Sequence, residues 1–321
     1  MRQASRRART YREPMTKPTA FPLGADLSLP AVGFGTYLIS DDAADEVVGE
    51  ALRAGYRHVD TAEGYRNETG VGRAIRNFLG AGACTRDELF VTTKLWPGNE
   101  AWGQTVRDYD ATLAALDESL QRLGLDHIDL YLIHAPFGGT LRTEQWRALV
   151  EARKQGKVRA IGVSNFQAAH LDELEAAGLD RPDANQIELH PWSQKPELIA
   201  DLRRRGIQPI AYSSLVPLST WREAPGQNSA KSDEMRAEGR SEDSPFRRMA
   251  AELGVSEAQL LLRWAVQLGY AVLPKSTNPE RMRANLDLFS FELTPAQLAE
   301  IETMDRGDGV AWSTGDPSLF S

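Results

Sequence analysis

The sequence predicts a closed (β/α)8 barrel of the TIM type, preceded by an N-terminal β-hairpin. Three observations predict it. Helix-period and strand-like segments alternate eight times, most links between them are short, and polar residues recur at the ends of the strand-like runs. An open dinucleotide-binding sheet would carry Gly-x-Gly-x-x-Gly after its first strand. Gly33-Phe34-Gly35 lacks the third glycine, and Gly70-Val71-Gly72 falls inside a predicted helix, where close packing explains it.

Taken in order, Ala20 to Gly35 reads as the hairpin, with a Leu23-Gly24-Ala25-Asp26 turn between two apolar runs. Strands are predicted at Arg57–Thr61, Leu89–Leu95, Ile128–His134, Val158–Ser164, Ala184–Leu189, Gln208–Ser213, Ala271–Lys275 and Leu286–Phe291, each rich in Val, Ile, Leu or Phe. Helices are predicted near 42–54, 67–79, 104–123, 144–155, 167–177, 195–205, 256–268 and 295–304, where apolar residues return every three or four positions. One long segment fits neither pattern. Ser219 to Pro245 is rich in Ser, Glu, Asp, Arg and Gly, and reads either as a cofactor belt or as mobile surface.

The 321 residues, 41% hydrophobic, suffice for one large core, so residues 19–321 are expected to form a single barrel domain with a loop at 219–245 and a C-terminal tail at 305–321. The net charge of −8 is uneven: residues 1–18 carry six basic side chains and one acid, leaving −13 on the rest. The first 18 residues are expected to be a disordered basic tail, with Met15 an alternative start; Ser5-Arg6-Arg7 is followed by prolines rather than an export signal's apolar core. An acidic body argues against nucleic acid, and no apolar run approaches a membrane span. The lone Cys84 makes neither a disulfide nor a thiolate metal cage. A cytoplasmic monomer acting on a small molecule is the expectation, with no metal site.

Barrel chemistry gathers at the carboxyl ends of strands. Here those ends present Asp60, Lys94, His134, Ser164-Asn165, Gln186, Tyr212-Ser213 and Lys275-Ser276, and a short Gly-containing loop delivers Tyr65 five residues after Asp60. Any one could be a solvated strand end; together they read as a ring around one cavity. Asp60 with Tyr65, Lys94 and His134, followed by Gly162-Val-Ser-Asn-Phe166, Asn185-Gln-Ile-Glu-Leu-His-Pro191 and Leu273-Pro-Lys-Ser-Thr277, resembles the aldo-keto reductase superfamily, in unbroken order from about residue 20 onward. The resemblance implies a bacterial-type, NADPH-dependent reductase of aldehydes or ketones that also oxidises alcohols.

The central residues suit that chemistry independently. Carbonyl reduction needs a hydride donor and an acid that protonates the forming alkoxide. A tyrosine with pKa of about 10 is a poor acid unless a neighbouring ammonium stabilises its phenolate. That makes Tyr65 the acid, Lys94 its tuner and Asp60 the partner of Lys94; the resemblance implies that His134 orients the substrate oxygen.

By similarity, Ser164, Asn165 and Gln186 hold the nicotinamide carboxamide and Tyr212 stacks on its ring, while Asp60, Gly35 and Thr36 flank the cofactor and Ser213 and Leu215 lead toward the pyrophosphate. Lys275, Ser276, Thr277 and Arg281 match the family's 2′-phosphate site and Asn285 an adenine contact, which implies NADPH/NADP+. Ala284 departs from the family pattern, where many members have an acidic adenine contact, and Pro217 stands where some have serine.

Tyr37, Trp96, Trp192 and Trp312, with His134, are candidates to line the substrate pocket; each aromatic reads equally as ordinary packing. Two other functions use parts of the same chain. His58, Asp60, His134 and His190 would suit a metal-dependent barrel hydrolase, and a reductase-like barrel could serve as a nucleotide-binding regulatory subunit.

Overall fold

The computed structural model describes residues 19–24, 26–218, 241, 243–307, 309, 311, 312 and 317. The basic segment 1–18 with Met15, most of the predicted loop 219–245 and most of the tail beyond residue 312 lie outside the described residues.

The hairpin pairs β1 (Ala20–Leu23) with β2 (Leu27–Pro30), Leu23 opposite Leu27. Phe21, Leu23 and Leu29 are buried, and Gly24 lies against Asp183, just ahead of the strand at Ala184. The hairpin therefore caps the amino-terminal end of the barrel.

Eight parallel strands follow: β3 (Phe34–Gly35), β4 (His58–Asp60), β5 (Phe90–Leu95), β6 (Ile128–Ile133), β7 (Val158–Ser164), β8 (Ala184–Glu188), β9 (Gln208–Tyr212) and β10 (Ala271–Val272). Each pairs with the next, and a parallel bridge between Val32 and Val272 joins the last strand to the run leading into the first, closing the cylinder. β5 and β6 are buried at every position, as strands covered on both faces must be.

Ten described helices accompany the strands: α1 (Asp41–Ala54), α2 (Glu68–Gly80), α3 (Tyr109–Leu123), α4 (Arg142–Lys154), α5 (Ala168–Ala176), α6 (Pro196–Arg205), α7 (Pro245–Leu253), α8 (Glu257–Gln267), α9 (Pro279–Leu286) and α10 (Pro295–Glu302). Their ends follow local chemistry. Asp108 caps α3 by accepting from the Ala111 amide at 2.9 Å, and Ser256 with Gln259 forms a capping box on α8. The close packing read from Gly70 and Gly72 is real: a Cβ there would lie 2.1 Å from the Asp41 carbonyl oxygen and 2.2 Å from that of Leu123.

Three features differ from those the sequence predicts. Its eighth strand, Leu286–Phe291, is not a strand; Leu286 ends α9, Leu288 is buried, and Leu286, Phe289 and Phe291 pack half-buried against the core. The missing strand is Phe34–Gly35, assigned above to the hairpin, which instead ends at Pro30. Glycine explains why so short a run closes the barrel: a Cβ at Gly33 would lie 2.4 Å from His58 Nδ1, and one at Gly35 2.8 Å from the Leu273 carbonyl oxygen. Finally, helices α7 and α9 were not anticipated, and residues 104–108 precede α3 rather than belonging to it.

Candidate active site

Register brings the strand ends to one mouth. Asp60 ends β4, Lys94 is the penultimate residue of β5, and His134 directly follows β6, donating its amide to the Leu95 carbonyl at 3.0 Å. Tyr65 ends a 3-10 turn, Glu63–Tyr65, that folds back over them. The turn is held from outside. Glu63 Oε2 accepts from the Trp96 amide at 3.0 Å, and Glu63 Oε1 pairs with Arg107 at 2.6 Å.

Lys94, with 0% exposure, is the hub. Its Nζ donates to Asp60 Oδ1 at 2.6 Å and to the Thr61 carbonyl at 2.9 Å, and lies 3.3 Å from the Tyr65 hydroxyl. Asp60 Oδ2 accepts from Gln186 Nε2 at 2.8 Å. Tyr65 and His134 meet edge to face, ring centres 5.5 Å apart.

The electrostatics refine the expectation for Tyr65. Burial raises its pKa, and the Lys94 charge offsets this only in part, so the phenol holds its proton more tightly than a free tyrosine. Burial also raises the Asp60 carboxyl, with Lys94 pulling it partway back. At Lys94 burial acts against the ammonium, but Asp60 and Tyr65 together outweigh it and the pKa is raised. Burial, reinforced by Lys94, holds His134 well below the usual imidazole range, so its ring is neutral near pH 7.

A second network continues around the mouth. Ser164 Oγ donates to the Gln186 carbonyl at 2.8 Å; Asn165, in left-handed backbone at φ 63°, donates from Nδ2 to the His134 carbonyl at 3.0 Å and accepts at Oδ1 from the Tyr212 hydroxyl at 2.7 Å. Thr36 is buried against the Asp60 carbonyl, its hydroxyl donating at 3.0 Å. Ser213 and Leu215 are half-buried in the turn after β9. Farther out, Lys275, Thr277 and Arg281 are exposed, whereas the Ser276 hydroxyl is engaged with the backbone of Asn278, the residue capping α9. Asn285 is buried beside Tyr56, whose hydroxyl donates to the Met282 carbonyl at 3.1 Å.

Of the aromatic candidates, three meet the cluster. Tyr37 lies 5.1 Å from Tyr65, and Trp96 and Trp312 meet His134 edge-on at 5.6 and 6.0 Å. Trp192 is not among these contacts: it is buried against Phe246, with Arg306 stacked over its ring. Trp102 and Phe137 were not singled out in the sequence, yet both pack on Trp96, centres 6.0 and 5.8 Å away. Glu63 was missed as well, although its place two residues before Tyr65 was a usable signal. The histidines proposed as metal ligands are dispersed: His58 bonds Thr92 and His190 bonds Glu188. Among the described residues no three His, Cys, Asp or Glu side chains gather as a metal-binding group. No helix of the described residues is long and apolar enough to cross a membrane.

The fold and this cluster define the class, a (β/α)8 barrel that collects its ionisable groups at the carboxyl-end mouth. The chain belongs to the aldo/keto reductase family, whose model matches residues 31–306, and is thereby an oxidoreductase. It is 40% identical over 296 residues to an aldo-keto reductase of Mycolicibacterium smegmatis, covering 92% of this chain and 95% of that one. It is 39% identical over 289 residues to the morphine 6-dehydrogenase of Pseudomonas putida, covering 89% and 90%. A crystal structure of a Bombyx mori aldo-keto reductase in complex with NADP superposes with a TM-score of 0.79 at 33% identity, covering 92% and 95%.

Proposed function

We propose that the protein is an NADPH-dependent reductase of aldehydes and ketones, running in reverse as an alcohol dehydrogenase, with Tyr65 as proton donor and residues 19–321 acting as one catalytic unit. The observation that carries this reading is the buried contact of Lys94 with both Asp60 and Tyr65. The donor set fits a nicotinamide dinucleotide: amide and hydroxyl groups at Ser164, Asn165 and Gln186, the half-buried Tyr212 ring, and two outer cations, Lys275 and Arg281, that make no ion pair among the described residues. When bound, the cofactor supplies the hydride.

The chain's residues handle the proton. Neutral His134 donates an N–H to the carbonyl oxygen and fixes its direction. Tyr65, its pKa raised by burial, keeps its proton until charge develops on that oxygen. Transfer then leaves a phenolate whose nearest cation is Lys94 Nζ, at 3.3 Å, and Asp60 keeps that lysine charged. In the oxidative direction the same phenolate takes the alcohol proton.

Support for the 2′-phosphorylated cofactor comes from two exposed cations, Lys275 ahead of α9 and Arg281 in its first turn, where the helix dipole adds to their charge; the Glu280 and Arg281 amides are already bonded to Asn278 Oδ1. Tyr65→Phe removes the hydroxyl that carries the transferable proton, together with its contact to Lys94 Nζ. It should lower kcat/KM for aldehyde reduction by about 100- to 10,000-fold and leave the NADPH dissociation constant within about threefold. A variant retaining near-parental turnover would refute the assignment.

A further inference from the structure

Glu188 ends β8, is 3% exposed, and has no part in the steps above. Its Oε1 accepts from His190 Nε2 at 2.8 Å, and its Oε2 accepts from the backbone amide of Ala311 at 2.9 Å, 123 residues along the chain. The next residue, Trp312, stands at the mouth. Its indole N–H donates to the Tyr212 hydroxyl at 3.2 Å, and from there the bonds run through Asn165 to the His134 carbonyl. Its ring stacks on Trp96, centres 6.4 Å apart and planes 14° from parallel, and meets Phe137 and His134 edge-on at 6.0 Å.

We propose that Glu188 is a positioning residue that selects substrate: by holding Ala311 it seats Trp312 against Trp96 and Tyr212, and the aromatic wall so formed favours planar aromatic carbonyl compounds over small aliphatic ones. The proposal rests on the reductase reading of the site. Physically, a carboxylate–amide bond in a buried setting is strong and directional, whereas an indole held by stacking and one 3.2 Å hydrogen bond would sample several positions. His190 fixes the carboxylate in turn, so both oxygens have a partner and the group costs little to bury. A flat substrate ring gains from a wall already in place, because the protein does not have to order it on binding; a short aliphatic aldehyde touches too little of it to benefit.

The test compares benzaldehyde with propanal as substrates, and measures backbone amide exchange at Ala311 in the ligand-free protein. Glu188→Ala should raise KM for benzaldehyde about tenfold and that for propanal much less, and should speed Ala311 exchange by at least about tenfold. Glu188→Gln, which keeps an acceptor oxygen for Ala311, should restore most of both. Because Glu188→Ala leaves His190 buried without this partner, Trp312→Leu serves as a second variant that spares the pair, and it should shift the benzaldehyde-to-propanal ratio in the same direction. Adding Glu188→Ala to Trp312→Leu should change the ratio no further. Equal losses on both aldehydes with unaltered Ala311 exchange would overturn the proposal. If the parent protein turned over neither aldehyde, the reductase reading and the selectivity would fall together, whereas the exchange measurement needs no substrate and decides the Glu188–Ala311 tether separately.

Discussion

Lys94→Met keeps most of the side-chain volume and removes the one charge that Asp60, Tyr65 and Thr61 share. Asp60 then retains Gln186 Nε2 at 2.8 Å but loses its cation. A buried carboxylate left without its partner costs about 3–5 kcal/mol. It can instead take up a proton, and that escape sets a ceiling. Protonating a carboxyl of ordinary pKa about 3.9 at pH 7 costs about 4 kcal/mol, at ~1.4 kcal/mol per pH unit. At pH 5 the same step costs only about 1.5 kcal/mol. The electrostatic part of the destabilisation should therefore reach about 4 kcal/mol at pH 7 and shrink to about 1.5 kcal/mol at pH 5. Urea unfolding of parent and variant at the two pH values measures it. An Asp60→Asn/Lys94→Met double variant, with no carboxylate left at this position, should show a loss nearly independent of pH. Equal destabilisation of Lys94→Met at pH 7 and pH 5 would refute the reasoning, because Asp60 would then not be the group left stranded.

Two further outcomes follow from the same structure. Arg281 is exposed in the first turn of α9, so the bond proposed for it to the 2′-phosphate is discounted for solvent; Arg281→Ala should weaken NADPH about tenfold, or ~1.4 kcal/mol, and NADH less than about threefold, read from the ratio of dissociation constants by fluorescence titration. Burial lowers the His58 pKa to about 3, so between there and the unfolded value of about 6.5 the unfolded chain takes up the extra proton and stability falls with pH. His134 is lowered in the same direction. His58 alone should remove about 1.6 kcal/mol between pH 6.5 and pH 5, and unfolding free energies that stay flat across that interval would contradict its burial as a neutral ring.

Periodicity in the sequence determined the architecture, because a barrel is assembled from repeated local units whose helices and strands each carry their own pattern. It also located Asp60, Lys94 and His134, since strand ends are visible as the place where an apolar run stops. Legibility failed where an element is made by its neighbours. Phe34–Gly35 has almost no strand signal of its own; it pairs because Gly33 and Gly35 let the backbone approach His58 and Leu273. Leu286–Phe291 has the signal but packs Leu288 and, half-buried, Leu286, Phe289 and Phe291 against the core without a strand partner. The same division runs through the site. Residue type and order nominated Tyr65 as an acid, but only the folded chain decided that burial outweighs Lys94 at the phenol, a balance of desolvation and charge that depends on distances. Trp192 and Trp312 were indistinguishable as aromatic residues in a sequence. Tertiary structure put one beneath Arg306 and the other beside His134, where Glu188 and Tyr212, remote in the chain, bond Ala311 and Trp312.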